Sequence, residues 1–160
     1  MHLLRFTTLV LILTTGCAVA ENKSVVFGVS NIEAIGEHYK INKIGHSSAS
    51  RVEIYDVRIS ELEDKKCLFK DTLTSMTFTF NEKKVLINSE RIHKGNLLSE
   101  IQACLSKEYM VKEFTSDERQ FFGPEAAKFE TSTTEVVVFY TGSENTTRYG
   151  ISLKSESKSR

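Results

Sequence analysis

Twice in this chain a short amphipathic helical segment is followed by four segments of strand character. That order restricts the fold to runs of antiparallel strands with helices laid against a sheet face. The first helical signal is Ser30-Asn31-Ile32-Glu33, read as a capping box with Ser30 as N-cap and Glu33 reaching back from the third helical position. Behind it Ile32, Ile35 and Tyr39 recur at helical spacing and share one face. In the second half Asn96 is placed to cap a helix whose apolar stripe comprises Leu97, Leu98, Ile101, Cys104, Leu105 and Tyr109.

Strand segments are expected at 39–44, 51–59, 75–80 and 84–92 after the first helix, and at 110–115, 126–131, 135–140 and 147–153 after the second, with 25–29 as a leading strand. Met76, Phe78 and Phe80 alternate with Thr77 and Thr79, giving one apolar and one threonine face. Asn81-Glu82-Lys83 is a hairpin turn leading into Val85 and Ile87, and 141–145 is a second turn cluster. The class is therefore α+β, mainly antiparallel sheet with two helices. Two arrangements fit it: two tandem α-β-β-β-β units, or one continuous sheet carrying both helices. In topology alone the order resembles small exported inhibitor and assembly modules built from helix-plus-four-strand units, such as the β-lactamase inhibitor protein. That likeness implies a fold and does not by itself assign a function.

The first twenty residues have the layout of a secretory signal peptide. A basic start ending at Arg5 precedes an apolar run, Phe6 to Leu13, too short to span a bilayer, and Ala18-Val19-Ala20 supplies an A-x-A cleavage site. Thr14-Thr15-Gly16-Cys17 resembles instead the lipobox of bacterial lipoproteins, with Thr14 where that motif usually carries Leu; a cut before Cys17 would leave it lipidated and the chain tethered. The domain reading is a signal peptide over 1–20, one compact domain over 21–153 (or two lobes over 25–92 and 93–153), and a solvated tail over 154–160. Export to a periplasm in soluble form is the favoured expectation, with an outer-membrane lipoprotein as the alternative. No later apolar run is long enough for a transmembrane segment.

Charge and cysteines narrow the function classes. The 160 residues carry 21 Lys+Arg against 21 Asp+Glu with interspersed signs, so the basic stripe of a nucleic-acid binder is missing. Beyond the leader two cysteines remain, Cys67 and Cys104, and in an oxidising compartment an even pair is most simply a disulfide. Closing that loop is worth about 4 kcal/mol by chain entropy. The alternative is a buried free thiol at Cys104 on the apolar helix face.

No catalytic, metal or cofactor site is expected. His38, His46 and His93 lack metal-ligand spacing and are read as surface or turn histidines. There is no G-x-S-x-G; the one S-x-x-K, Ser155 to Lys158, lies in the tail, and Glu61 with Glu63 sits in a charged loop. Asn22 and Asn145 head glycosylation sequons, which matter only in a eukaryotic secretory pathway. The segment singled out is 117–125, where Phe121 and Phe122 stand between a charged run and the chain's one proline, Pro124. Read as extended chain, it turns the two rings to opposite sides, and an exposed Phe122 on a Gly-Pro loop has the character of an interface anchor. Alternatively both rings plug the core. The function expected is a non-enzymatic, inhibitor- or immunity-like module that docks a partner protein through Phe121, Phe122 and Pro124. An envelope assembly lipoprotein anchored through Cys17 and a cryptic hydrolase using a histidine are the alternatives.

Overall fold

The computed structural model describes residues 25–62 and 67–154. They form α1 (Ile32–Gly36), β1 (Ile41–Ser47), β2 (Val52–Val57), β3 (Leu73–Phe80), β4 (Leu86–Lys94), α2 (Leu98–Leu105), β5 (Met110–Lys112), α3 (Ser116–Phe122), β6 (Ala127–Glu130), β7 (Thr134–Thr141) and β8 (Thr146–Leu153). All eight strands join one sheet in the order β1-β2-β3-β4-β8-β7-β6-β5, and every neighbouring pair is antiparallel. β1 to β4 and β5 to β8 are each a meander, and the two meet along their last strands, β4 against β8. The α+β antiparallel class thus holds, with one helix more than expected.

Each strand places alternate side chains on opposite faces, and one face is packed. Met76, Phe78 and Phe80 of β3 point inward with Ile35, Val57, Leu62, Leu68, Leu73 and Leu86, with Tyr39 of the α1 side edge-on to Phe78 at 5.2 Å. Leu98, Ile101 and Leu105 of α2 pack on Phe129, Val136, Val138, Tyr149 and Ile151. The threonine face of β3 lies on the opposite side, as its alternation requires.

Between the two apolar clusters, β4 turns polar side chains inward: Ser89 and His93 are buried, and Arg91 stands between them. The Arg91 guanidinium lies 4.6 Å from the centre of the Tyr149 ring, and the His93 ring stacks near-parallel on the same tyrosine at 6.1 Å. His93 is therefore neither a surface nor a turn residue, a correction to the expectation drawn from its polarity. The cause is register: Phe80 opposes Leu86 and Thr79 opposes Asn88, so Ile87 is an extra residue in β4. Leu86, not Val85 or Ile87, enters the core, and past the extra residue the inward positions become 89, 91 and 93, opposite Phe78, Met76 and Leu73.

Two local expectations are also corrected. Residues 25–29 form a turn, not a strand: Gly28 takes φ 79, and Ser30 N–H donates to the Val26 carbonyl at 2.8 Å. The Ser30 hydroxyl accepts from Val26 N–H at 2.9 Å, so it is not available to α1. Asn31 is the N-cap instead, its side-chain oxygen accepting from Ala34 N–H at 2.9 Å. At α2, Asn96 accepts from Leu98 N–H at 3.2 Å, while the Thr147 hydroxyl accepts from Leu97 N–H at 2.8 Å.

Cys67 and Cys104 are joined in a disulfide with Cα atoms 5.7 Å apart, tying the chain before β3 to the end of α2. Among the described residues no helix is long and apolar enough to cross a membrane. Residues 1–24, with both candidate cleavage sites and Cys17, lie outside the described residues, as do Glu63, Asn22 and the tail from 155.

Candidate functional site

α3 departs furthest from the sequence expectation. The sequence predicts extended chain over 117–125, but 116–122 are helical, started by a capping box in which Thr115 accepts from Glu118 N–H and the Glu118 carboxylate accepts from Thr115 N–H at 2.8 Å. Gly123, at φ 91, ends the helix, and Arg119 donates to the carbonyls of Pro124 and Ala126 at 2.9 and 3.0 Å. The sequence signal for this helix is the pattern Thr115-x-x-Glu118, the same S/T-x-x-E pattern that Ser30 and Glu33 present.

Helical geometry rotates successive residues by about 100°, and this decides the fate of the two rings. Phe122 is half-buried, stacked on Phe114 at 5.5 Å and packed on Phe139 at 5.3 Å. Phe121 is 82% exposed, and Pro124 is exposed beside it. Neither ring enters the core, and the outward one is Phe121, not Phe122.

Phe139 lies on the face opposite Val138, which is core; α3 therefore sits on the far side of the sheet from α1 and α2. Its second anchor is Lys128, only 7% exposed, which reaches Glu118 at 2.6 Å and Glu135 at 3.0 Å. Hydrogen bonding to Lys128, reinforced by Thr115 N–H, holds the Glu118 carboxyl down at about 2. Burial works against the Lys128 ammonium, but its two carboxylates outweigh it and raise its pKa.

Beyond α3 this face carries no other described helix, and a groove of about 260 Å³ opens on it. The register shows why. Across β4, β8 and β7, Asn88, Ser152 and Glu135 form one row, Glu90, Gly150 and Val137 the next, and Ile92, Arg148 and Phe139 the third. The central position of this three-by-three patch is Gly150, which has no side chain, so its neighbours stand around a pit. Phe122 from α3 adds a wall beside Phe139 and Val137. Arg148 reaches Glu144 at 2.8 Å and Glu90 at 3.5 Å. A lone glycine inside a strand pattern is the sequence signal that could have located the pit.

The remaining candidates are scattered. His38 and His46 are exposed, and Nδ1 of His46 lies 3.2 Å from the Val52 carbonyl. His93 is held by burial and by Arg91 at about 4, and its Nδ1 lies 3.1 Å from the Thr72 hydroxyl. Glu61 is exposed and pairs with Arg58 at 2.7 Å. Asn145 sits exposed in the β7–β8 hairpin turn, where its side chain accepts from the Tyr140 hydroxyl at 3.0 Å. No group of three or more His, Cys, Asp or Glu side chains placed to hold a metal occurs among the described residues. No family model, curated protein or solved structure gives a significant match to this chain.

Proposed function

We propose that this chain is an exported, inhibitor- or immunity-like binding module that docks a partner protein on the α3-bearing face of its sheet. The observation that carries the reading is Phe121: a large apolar ring, 82% exposed, on a helix fixed by a capping box, an aromatic stack and a buried lysine. Such a ring presents apolar area at little entropic cost on docking, the property of an interface anchor. It stands beside the groove, whose wall includes its neighbour Phe122, while Pro124 extends the exposed surface. In this reading the chain works by binding, and it consists of two tandem helix-plus-four-strand halves joined through β4 and β8.

Export rests on residues 1–20. Cleavage after Ala20 gives a soluble protein, cleavage before Cys17 a tethered one, and the mass of the mature N-terminus distinguishes them. The docking reading is tested in the producing cell with a photo-crosslinking amino acid at position 121 and a control at position 38, exposed near α1. A single protein adduct formed from 121 and not from 38 supports it. Identical adducts from both positions, or none from 121, overturn it.

A further inference from the structure

We propose that the pit over Gly150 is a socket for a basic side chain, arginine in preference to lysine, presented by the partner protein. The proposal rests on the docking reading and names the chemistry it selects. The shape comes first: a missing side chain at the centre of a three-strand patch leaves space for one inserted from outside, not for an extended backbone. One wall is apolar, from Val137, Phe139 and Phe122, and the facing side is polar, from Asn88, Glu90 and Ser152. A side chain with an apolar stem and a hydrogen-bonding head fits that division.

Charge selects the sign of the head. The pit is lined by two carboxylates, Glu90 and Glu135, against one guanidinium, Arg148. Arg148 is drawn outward to Glu144 at 2.8 Å, closer than its 3.5 Å approach to Glu90, and Glu144 lies outside the lining. Lys128 is taken up by Glu118 and Glu135 together. Glu90 therefore keeps most of its hydrogen-bonding capacity for a donor entering the pit, and Asn88 and Ser152 offer further acceptors. A planar guanidinium donates to several of these at once and stacks on a phenyl ring, which an ammonium does less well. The protein uses that stack elsewhere, with Arg119 over Phe114 at 4.8 Å and Arg91 over Tyr149 at 4.6 Å.

Gly150 itself supplies the decisive variant. Its φ is outside the left-handed region, and a Cβ there meets nothing nearer than the Ser89 carbonyl at 3.9 Å, so a side chain is accommodated at its root. Gly150→Val is expected to fold, checked by its thermal melt, and to fill the pit with its two methyls. The probe is N-acetyl-arginine methylamide, titrated into the full mature protein and followed by backbone amide shifts. N-acetyl-citrulline methylamide serves as the uncharged isostere and methyl glucoside as a glycan probe. The expected result is saturable shifts at Gly150, Ser152 and Val137 with millimolar affinity for the arginine probe, about tenfold weaker for citrulline. Binding of the arginine probe is lost in Gly150→Val and weakened in Glu90→Gln. Equal affinity for citrulline, a response to the glucoside alone, shifts that persist in Gly150→Val, or no saturable response overturns the socket. Because the probe needs no partner, such a failure is distinct from a failed crosslink at 121, which overturns the docking surface.

Discussion

The Tyr149 hydroxyl donates to the Cys67 carbonyl at 3.3 Å, so the tyrosine that carries Arg91 on its face also reaches the backbone of the disulfide. Cys104, the other half-cystine, belongs to α2, which packs on the same cluster as Tyr149. Sheet centre, helix and loop are thus cross-braced within one small region. Replacing both cysteines by serine is expected to cost about 3–4 kcal/mol, and Tyr149→Phe about 1 kcal/mol. Because the two share one anchor, the triple variant should lose measurably less than the sum. Urea melts of the four proteins check it; strict additivity would show that hydroxyl and disulfide act independently.

Phe121 and Phe122 are adjacent in sequence and should separate completely in behaviour. Phe122→Ala removes contacts with Phe114 and Phe139 and is expected to destabilise by about 1–3 kcal/mol, below the range for a fully buried ring because Phe122 is half-buried. Phe121→Ala should change stability by no more than about 0.5 kcal/mol while reducing partner capture. Thermal melts and capture yield, measured side by side, decide it. A Phe121→Ala protein that melts early would show that the exposed ring is structural.

Strand positions were legible because alternation is a backbone property: Met76, Phe78 and Phe80 face the core wherever β3 lies in the sheet. The disulfide was legible from the count, since beyond the first twenty residues the chain has one pair of cysteines, Cys67 and Cys104. What was not legible depended on partners distant in sequence. Arg91 and His93 face inward because an extra residue, Ile87, enters their own strand and the pairing with β3 then sets them opposite Met76 and Leu73, which no local pattern encodes. The face that α3 covers is set by Lys128 and Phe139, both beyond its own end. The pit exists because Asn88, Glu90, Val137 and Phe139 surround Gly150, and they come from two other strands. Ser30 failed as a cap for a nearer reason: the turn at 26–30 already used its hydroxyl.

Acid should loosen α3 late. The Glu118 carboxyl is held at about 2 by Lys128, so its folded pKa lies below the ordinary carboxylate value. Its stabilising contribution is complete above that ordinary value and is lost as pH falls towards 2. The Phe122 ring resonances should therefore stay unchanged at pH 3 and shift with a midpoint near 2. In Glu118→Gln the amides of Arg119 to Gly123 should exchange faster at neutral pH with little change in the global melt. A midpoint at the value of a free carboxylate would mean that the Glu118–Lys128 pair does not hold the helix down.

His93 sets a second and earlier window. Burial, with Arg91 nearby, lowers its pKa from 6.5 to about 4 in the folded protein. The unfolded chain therefore takes up a proton near pH 6.5 that the folded chain refuses until about pH 4, so stability is full above the first value and declines between the two. From pH 7 to pH 5 the loss attributable to this residue is about 2 kcal/mol. Denaturant melts of wild type and His93→Gln across that range isolate it from the exposed His38 and His46, which are present in both proteins. Wild type should weaken on acidification while His93→Gln, less stable at pH 7 through loss of the Thr72 contact, shows a much flatter profile. The imidazole resonances of His93 should titrate near pH 4 in the native protein. A midpoint near 6.5 would place the ring in contact with solvent, and the stacked pair it forms with Tyr149 could not then be the dry centre of the sheet.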